Sequence, residues 1–315
     1  MTSSTYKGSA TESNAYIITG PTSGIGRRTA LEVAAHGTVV LVGRDPGKLE
    51  ALQRKIEQKG GKAAPIVCDL SDIESVHRAT AEIVRLNLPL AGIVNNAGIM
   101  QLRPTKNARG WDMSYATNHL GPFVLTETLM PYLPDGANVV FVVSAVEDPE
   151  RKPAVSAGFR GARYISAEAS ARGEWKRGGS LKPGFDAYAT SKQAILAAAL
   201  AFARENPRLY INAIEPGFNP STGLGASDSS AVVRFTQKFI VPLIVPLLMP
   251  FIKILSTSKR AAREITKILT DTSEHTGIYY DEGGRPMQGS TFIRDQKFQD
   301  RVVAETRAFL AKHSQ

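Results

Sequence analysis

The chain has 315 residues, 43% hydrophobic and 21% charged, which is ample apolar material for a buried core and excludes an intrinsically disordered protein. Its single cysteine, Cys68, excludes an internal disulfide framework and points to a cytoplasmic setting. The formal charge of +9 invites a nucleic-acid partner, but much of the excess sits in one segment that carries no nucleic-acid recognition motif, so no nucleic-acid role is expected.

Residues 1–14 are polar, rich in Ser and Thr, and lack the apolar centre of a signal peptide; they read as a disordered lead-in, and 15–315 as a single domain. Apolar runs then alternate with helix-length segments. Strands are expected at Ala15 to Gly20, Thr38 to Gly43, Ala63 to Cys68, Gly92 to Asn95, Asn138 to Ser144, Leu209 to Glu215 and Gly277 to Tyr280. Runs such as Val39-Val40-Leu41-Val42 carry no polar alternation, the pattern of strands covered by helices on both faces. The expected fold class is α/β, a Rossmann-type doubly wound parallel sheet of about seven strands whose ligand crevice lies beyond the strands' carboxyl ends. Gly20, Asp69, Asn95, Ser144 and Pro216 all fall at such ends.

Between the first strand and the first helix lies Gly20-Pro21-Thr22-Ser23-Gly24-Ile25-Gly26. Glycines there let the chain bend tightly and approach a pyrophosphate, while N–H groups at the helix start attract its charge. A strand-to-helix turn that merely needs glycine reads the same way in isolation. Far downstream, Tyr188 and Lys192 stand four residues apart and share one helix face, where an ammonium near a phenol eases proton transfer.

With Asn95-Asn96-Ala97-Gly98 added, the chain resembles the classical short-chain dehydrogenase/reductases, most of all their retinol dehydrogenase and protochlorophyllide reductase-like branch. The resemblance implies a catalytic tetrad of Asn118, Ser144, Tyr188 and Lys192. It places the cofactor against Gly20, Thr22, Ser23, Gly24, Ile25, Gly26 and Arg27, against Asp69 and Leu70 near the adenine, and against Asn96, Ala97 and Gly98. Tyr188 and Lys192 also face it, as do Pro216 and Gly217, with Ser221, or Thr222 beside it, in place of the family's usual threonine. Tyr188 is expected to exchange a proton with a carbonyl or alcohol oxygen, helped by Ser144, with Lys192 lowering the tyrosine pKa and Asn118 serving a proton relay.

After the second strand the family's acidic position falls on Gly43 and is followed by Arg44, whose forked donors suit a ribose 2′-phosphate. NADP(H) is therefore expected over NAD(H), with Arg27 as a second contact; an Arg44–Asp45 pair is the competing reading. His36, His77, His119, His275 and His313 lack metal-ligand spacing, and no metal is expected. His119 reads as a cleft residue or a structural one.

Two features depart from the family pattern. An insertion at about 147–186 separates Ser144 from Tyr188 and brings eight basic against three acidic residues between Pro149 and Gly184. It reads either as a charged lid or guide at the rim or as a solvated loop. It also leaves Ser156, Ser166 and Ser170 as alternatives to Ser144. The second is a substrate lid at about 218–257, including the proline-broken apolar stretch Phe239 to Leu255. This stretch is too interrupted to span a bilayer and suits a hydrophobic carbonyl or alcohol substrate, a core or subunit contact, or peripheral membrane attachment. Subunits could pair through Gln193 to Ala203 unless the insertion blocks that surface. The expected activity is carbonyl/alcohol hydride transfer; nucleotide-sugar epimerisation or dehydration, and a catalytically silent NADP sensor, are the alternatives.

Overall fold

A computed structural model describes residues 14–176, 178–217 and 256–313. Among these, seven strands form one parallel sheet: β1 (Ala15–Thr19), β2 (Thr38–Gly43), β3 (Ala63–Val67), β4 (Leu90–Asn95), β5 (Asn138–Val142), β6 (Tyr210–Ile214) and β7 (Tyr279–Tyr280), in the spatial order β3-β2-β1-β4-β5-β6-β7. Each lies within two residues of its expected place. The sequence order reverses between β1 and β4, whose residues Tyr16 and Ile18 pair with Gly92 and Val94. At such a reversal the crossovers leave in opposite directions and open a crevice.

Strand residues alternate between two apolar layers because successive side chains point to opposite faces. Ile17, Val40, Ile93 and Phe141 face the helices Ile73–Arg85, Gly121–Leu129 and Pro183–Glu205. Ile18, Leu41, Val94 and Val140 face Gly24–Val33 and Ser258–Leu269. Helix starts follow their local chemistry. Asp45 caps Pro46–Glu57 by accepting from the Lys48 N–H at 3.1 Å, with Pro46 pre-set for the first turn. Asp72 likewise accepts from the Glu74 N–H at 3.1 Å ahead of the amphipathic helix Ile73–Arg85.

The long helix Pro183–Glu205 is buried from Gly184 to Ala203 with the single exception of Leu200. Its outer face is covered by the C-terminal helix Gln296–Lys312. Arg307 fastens that helix to Glu205 at 2.6 Å and to Glu127 at 2.7 Å, and Arg204 bonds Gln299 and Asp300. The stretch Gln193 to Ala203 is therefore not an open subunit-pairing surface; the chain buries that apolar face against its own C-terminal helix rather than under the insertion. Phe309, 6% exposed and 5.0 Å from the Trp111 ring, packs the C-terminal helix against the segment that carries Trp111. Phe309→Ala is expected to cost about 3 kcal/mol. The urea midpoint should fall at unchanged slope, and an unmoved midpoint would show the contact dispensable.

Among the described residues no helix is long and apolar enough to cross a membrane. Ser221, Thr222 and the stretch Phe239 to Leu255 lie outside the described residues.

Candidate active site

Thr19 ends β1 and hands the chain to a turn that β4 holds in place. Its Oγ1 accepts from the N–H groups of Asn96 and Ala97, both at 3.0 Å, and the Asn96 Nδ2 donates to the carbonyls of Thr19 at 2.9 Å and Gly20 at 3.2 Å. Asn96 thus braces the turn through its amide. Gly20 has φ +65°, and a Cβ on it would lie 2.9 Å from the Ala97 Cα, so only glycine fits. A Cβ on Gly26 would collide with the Gly20 carbonyl and the Asn96 amide.

The helix Gly24–Val33 that follows has no side-chain cap from Ser23 and no acidic residue in its first turn. Its first N–H groups are left to an anion, which the helix dipole favours. Thr22 is half-buried beside them, Ser23 and Arg27 are exposed, and the Ile25 side chain points into the core. Arg44 is exposed at the end of β2. Asp45 does not take it: its carboxylate pairs with Lys48 at 2.7 Å. Asp69 accepts from the N–H and hydroxyl of Ser71 at 2.9 and 2.8 Å, and Leu70 is buried next to it.

A pyridine nucleotide fits this arrangement: a glycine turn, open helix N–H groups and a guanidinium unpaired among the described residues lie at the carboxyl ends of the strands. Gly24, Ala97, Gly98, Pro216 and Gly217 continue the same rim, all half-buried.

At the centre of that rim the catalytic candidates converge. Asn118 lies in a π-type turn, Ala116–Leu120, a widening common at functional sites. Its Oδ1 accepts from the Ile99 N–H at 2.8 Å, and its Nδ2 donates to the Ile99 carbonyl at 2.9 Å and the Ser191 hydroxyl at 3.0 Å. A Cβ on Gly98 would sit 3.4 Å from both the Asn118 Oδ1 and the Lys192 Nζ. Tyr188 is 7% exposed and shares a hydrogen bond with Ser144, at the end of β5. Ser156, by contrast, is exposed, Ser166 caps the helix Ala167–Arg172 by accepting from the Ala169 N–H at 3.1 Å, and Ser170 is buried in it. Ser144 is the serine brought to Tyr188.

The electrostatics differ from the expectation that Lys192 lowers the tyrosine pKa. Burial pushes the Tyr188 hydroxyl up to about 12, against a lowering contribution from Ser144 and a raising one from the charge of Glu215. Lys192 donates to the Val142 carbonyl at 2.8 Å and stands 5.9 Å from the Tyr188 ring centre, and burial lowers it to about 8. Desolvation is the largest influence on the Tyr188 hydroxyl.

The insertion forms part of this site. Phe159 stacks on Phe185 at 4.2 Å and lies 6.4 Å from the Tyr188 ring; Ala154, Val146, Met100 and Leu102 complete an apolar wall. Several of its charges are engaged within the chain. Arg172 pairs with Glu168 and Glu174, each at 3.0 Å, Arg151 lies 3.7 Å from Glu215, and Lys176 and Lys182 sit over the rings of Phe292 and Phe185.

Two carboxylates were missed by sequence reasoning. Glu147, fully buried, accepts from the Ser290 N–H at 2.9 Å and hydroxyl at 2.6 Å and from Gln193 at 3.3 Å, tying the insertion to the C-terminal segment. Glu215, 5% exposed, ends β6 beside Pro216, and burial pushes its carboxyl up to about 7. A charge closing an apolar strand just before Pro-Gly was the available signal. His119 is structural: it is fully buried, bonded through Nε2 to the Thr306 hydroxyl at 2.9 Å, and burial holds it down at about 3, so it stays neutral.

Comparison with known proteins bears on this geometry. The family model for short chain dehydrogenase matches residues 14–155. Human retinol dehydrogenase 11 is 36% identical over 124 residues, 38% of this chain and 39% of that protein. Bovine dehydrogenase/reductase SDR family member 12 is 29% identical over 219 residues, 68% of this chain and 63% of that protein. The chain thus spans less than two thirds of the relatives it matches. Among solved structures, an uncharacterized protein from Mycobacterium Paratuberculosis superposes with a TM-score of 0.68 at 24% identity, covering 95% of this chain and 93% of its own. The angucycline C-6 ketoreductase LanV with bound NADP gives 0.62 at 21% identity, covering 86% and 94%. These two likenesses show the fold. The sequence matches make residues 14–155 similar to the short chain dehydrogenase family, with retinol dehydrogenase 11 among the relatives that the chain resembles.

Proposed function

We propose that this protein is an NADP(H)-dependent oxidoreductase that reduces a lipophilic ketone or aldehyde, and that 15–315 works as one catalytic domain. The observation that carries the reading is the buried Tyr188 hydroxyl, bonded to Ser144 and walled by Phe159 and Phe185 at the rim of the glycine turn. When bound, the nicotinamide supplies or accepts the hydride. The chain's own residues handle the oxygen and its proton.

Tyr188 keeps its proton at neutral pH, because burial holds it near 12, and donates it to the substrate oxygen as that atom gains charge. Ser144 donates a second hydrogen bond to the same oxygen, where the loss of one such donor costs about 3 kcal/mol in comparable sites. Lys192 is charged near neutrality and would hold the cofactor's ribose; above about pH 8 it loses its proton, and activity is expected to fall with it. Asn118 holds the Ile99 backbone and so fixes the floor beneath Lys192. The apolar wall excludes water and favours an apolar substrate flank, which supports the lipophilic reading.

Arg44 favours NADP(H) because it is exposed beside the turn and unpaired among the described residues. Arg44→Ala is expected to weaken NADPH binding roughly tenfold, about 1.4 kcal/mol, and to leave NADH binding unchanged. Equal NADPH affinity in the two proteins would defeat the preference. NADPH consumption with a panel of hydrophobic aldehydes and ketones tests the activity itself. No turnover with tight NADPH binding would favour a sensor.

A further inference from the structure

Glu215 is a buried carboxylate that the proton-transfer scheme leaves without a role. It projects from the end of β6 onto the side of the sheet that carries Tyr188, and it meets two other segments there. The Ala145 backbone N–H, next to Ser144, donates to its carboxylate. The Arg151 guanidinium, from the insertion, approaches its Oε2 at 3.7 Å. Arg151 also immediately precedes the helix Lys152–Ser156, whose Ala154 packs in the apolar wall with Phe159 and Tyr188. Two routes therefore run from one carboxylate to one phenol, through Ala145 and Ser144 and through Arg151 and the insertion.

We propose that Glu215 is a positioning residue for reaction at Tyr188: its charged carboxylate holds the Ser144 strand end and the Arg151 helix against the turn Pro216–Gly217, and its protonation releases them. The inference rests on the reading of Tyr188 as the proton donor.

The groups around it set the sign of the effect. Burial raises the Glu215 carboxyl to about 7, the charges of Asp281 and Glu282 add to the rise, and Arg151 opposes it. Asp281 itself is held by Arg285 at 2.8 Å, and Glu147 is committed to Ser290 and Gln193, so neither is placed to hold Arg151 in its stead. Tyr279 and Tyr188 both feel the Glu215 charge as a rise in their own pKa. A carboxyl raised on folding favours the folded state most while neutral, so its contribution is complete below the ordinary value of 4.5 and is lost as pH climbs through about 7. Charged Glu215 is thus a cost to stability.

The test combines three measurements on the full chain. With NADPH and a hydrophobic aldehyde, wild-type kcat should fall roughly tenfold as pH drops through the Glu215 transition, and Glu215→Gln should be low and flat at that acid level with little change in KM. Arg151→Met should move the transition to higher pH, because the carboxylate loses its counter-charge. In the unloaded protein, the tyrosinate absorbance that Tyr188→Phe removes should appear at lower pH in Glu215→Gln, whose melting temperature above pH 7 should equal or exceed that of the wild type.

Wild-type kcat, an intact acid limb and an unshifted tyrosinate signal in Glu215→Gln would overturn the proposal, as would a lowered melting temperature with no change in pH profile. If Tyr188→Phe kept its turnover, the proton-donor reading would fail instead; an inactive Tyr188→Phe beside an unaffected Glu215→Gln would sink only the role of Glu215.

Discussion

Tyr188→Phe is expected to lower kcat for aldehyde reduction by roughly a hundred- to ten-thousandfold, with KM nearly unchanged. The substitution removes one hydroxyl and keeps the ring that packs against Phe159 in the apolar wall, so the site's shape survives. Only the proton and the Ser144 hydrogen bond disappear. Thermal unfolding of the variant separates chemistry from folding, because a neutral ring in the same place leaves burial intact. Turnover within tenfold of the wild type would remove Tyr188 from the reaction.

Gly26→Ala acts at the other end of the site and is expected to abolish nucleotide binding. The added methyl would meet the Gly20 carbonyl and the Asn96 amide, and neither can retreat. Gly20 is held in a left-handed conformation against Ala97, and Asn96 is tied to both carbonyls of the turn. Overpacking of this kind costs about 1–3 kcal/mol. Opening the turn to relieve it misaligns the helix N–H groups, so NADPH affinity should drop at least roughly a hundredfold, about 2.7 kcal/mol. Fluorescence titration of NADPH reads this directly. A variant that binds as the wild type does would show that the turn is not the phosphate site.

Much of the architecture was legible because it is locally encoded. The runs at Val39 to Val42 and Val139 to Val143 are apolar at every position, which suits only strands covered on both faces. The glycine turn declares itself because positive φ and close backbone approach tolerate no side chain. The spacing of Tyr188 and Lys192 placed both on one helix, and the helix Pro183–Glu205 carries them.

What the sequence by itself determined was thus the order of strands and helices, the glycine turn and the face that carries Tyr188, since hydrophobic period and turn chemistry act over a few residues. Only the tertiary structure decided the rest. Lys192 donates to the Val142 carbonyl, fifty positions away, and burial raises the Tyr188 hydroxyl. The C-terminal helix covers Gln193 to Ala203, and Arg151 reaches Glu215 across the insertion. A charge's pKa and a helix's covering depend on which distant segments exclude water from them, and local pattern carries no record of that neighbour.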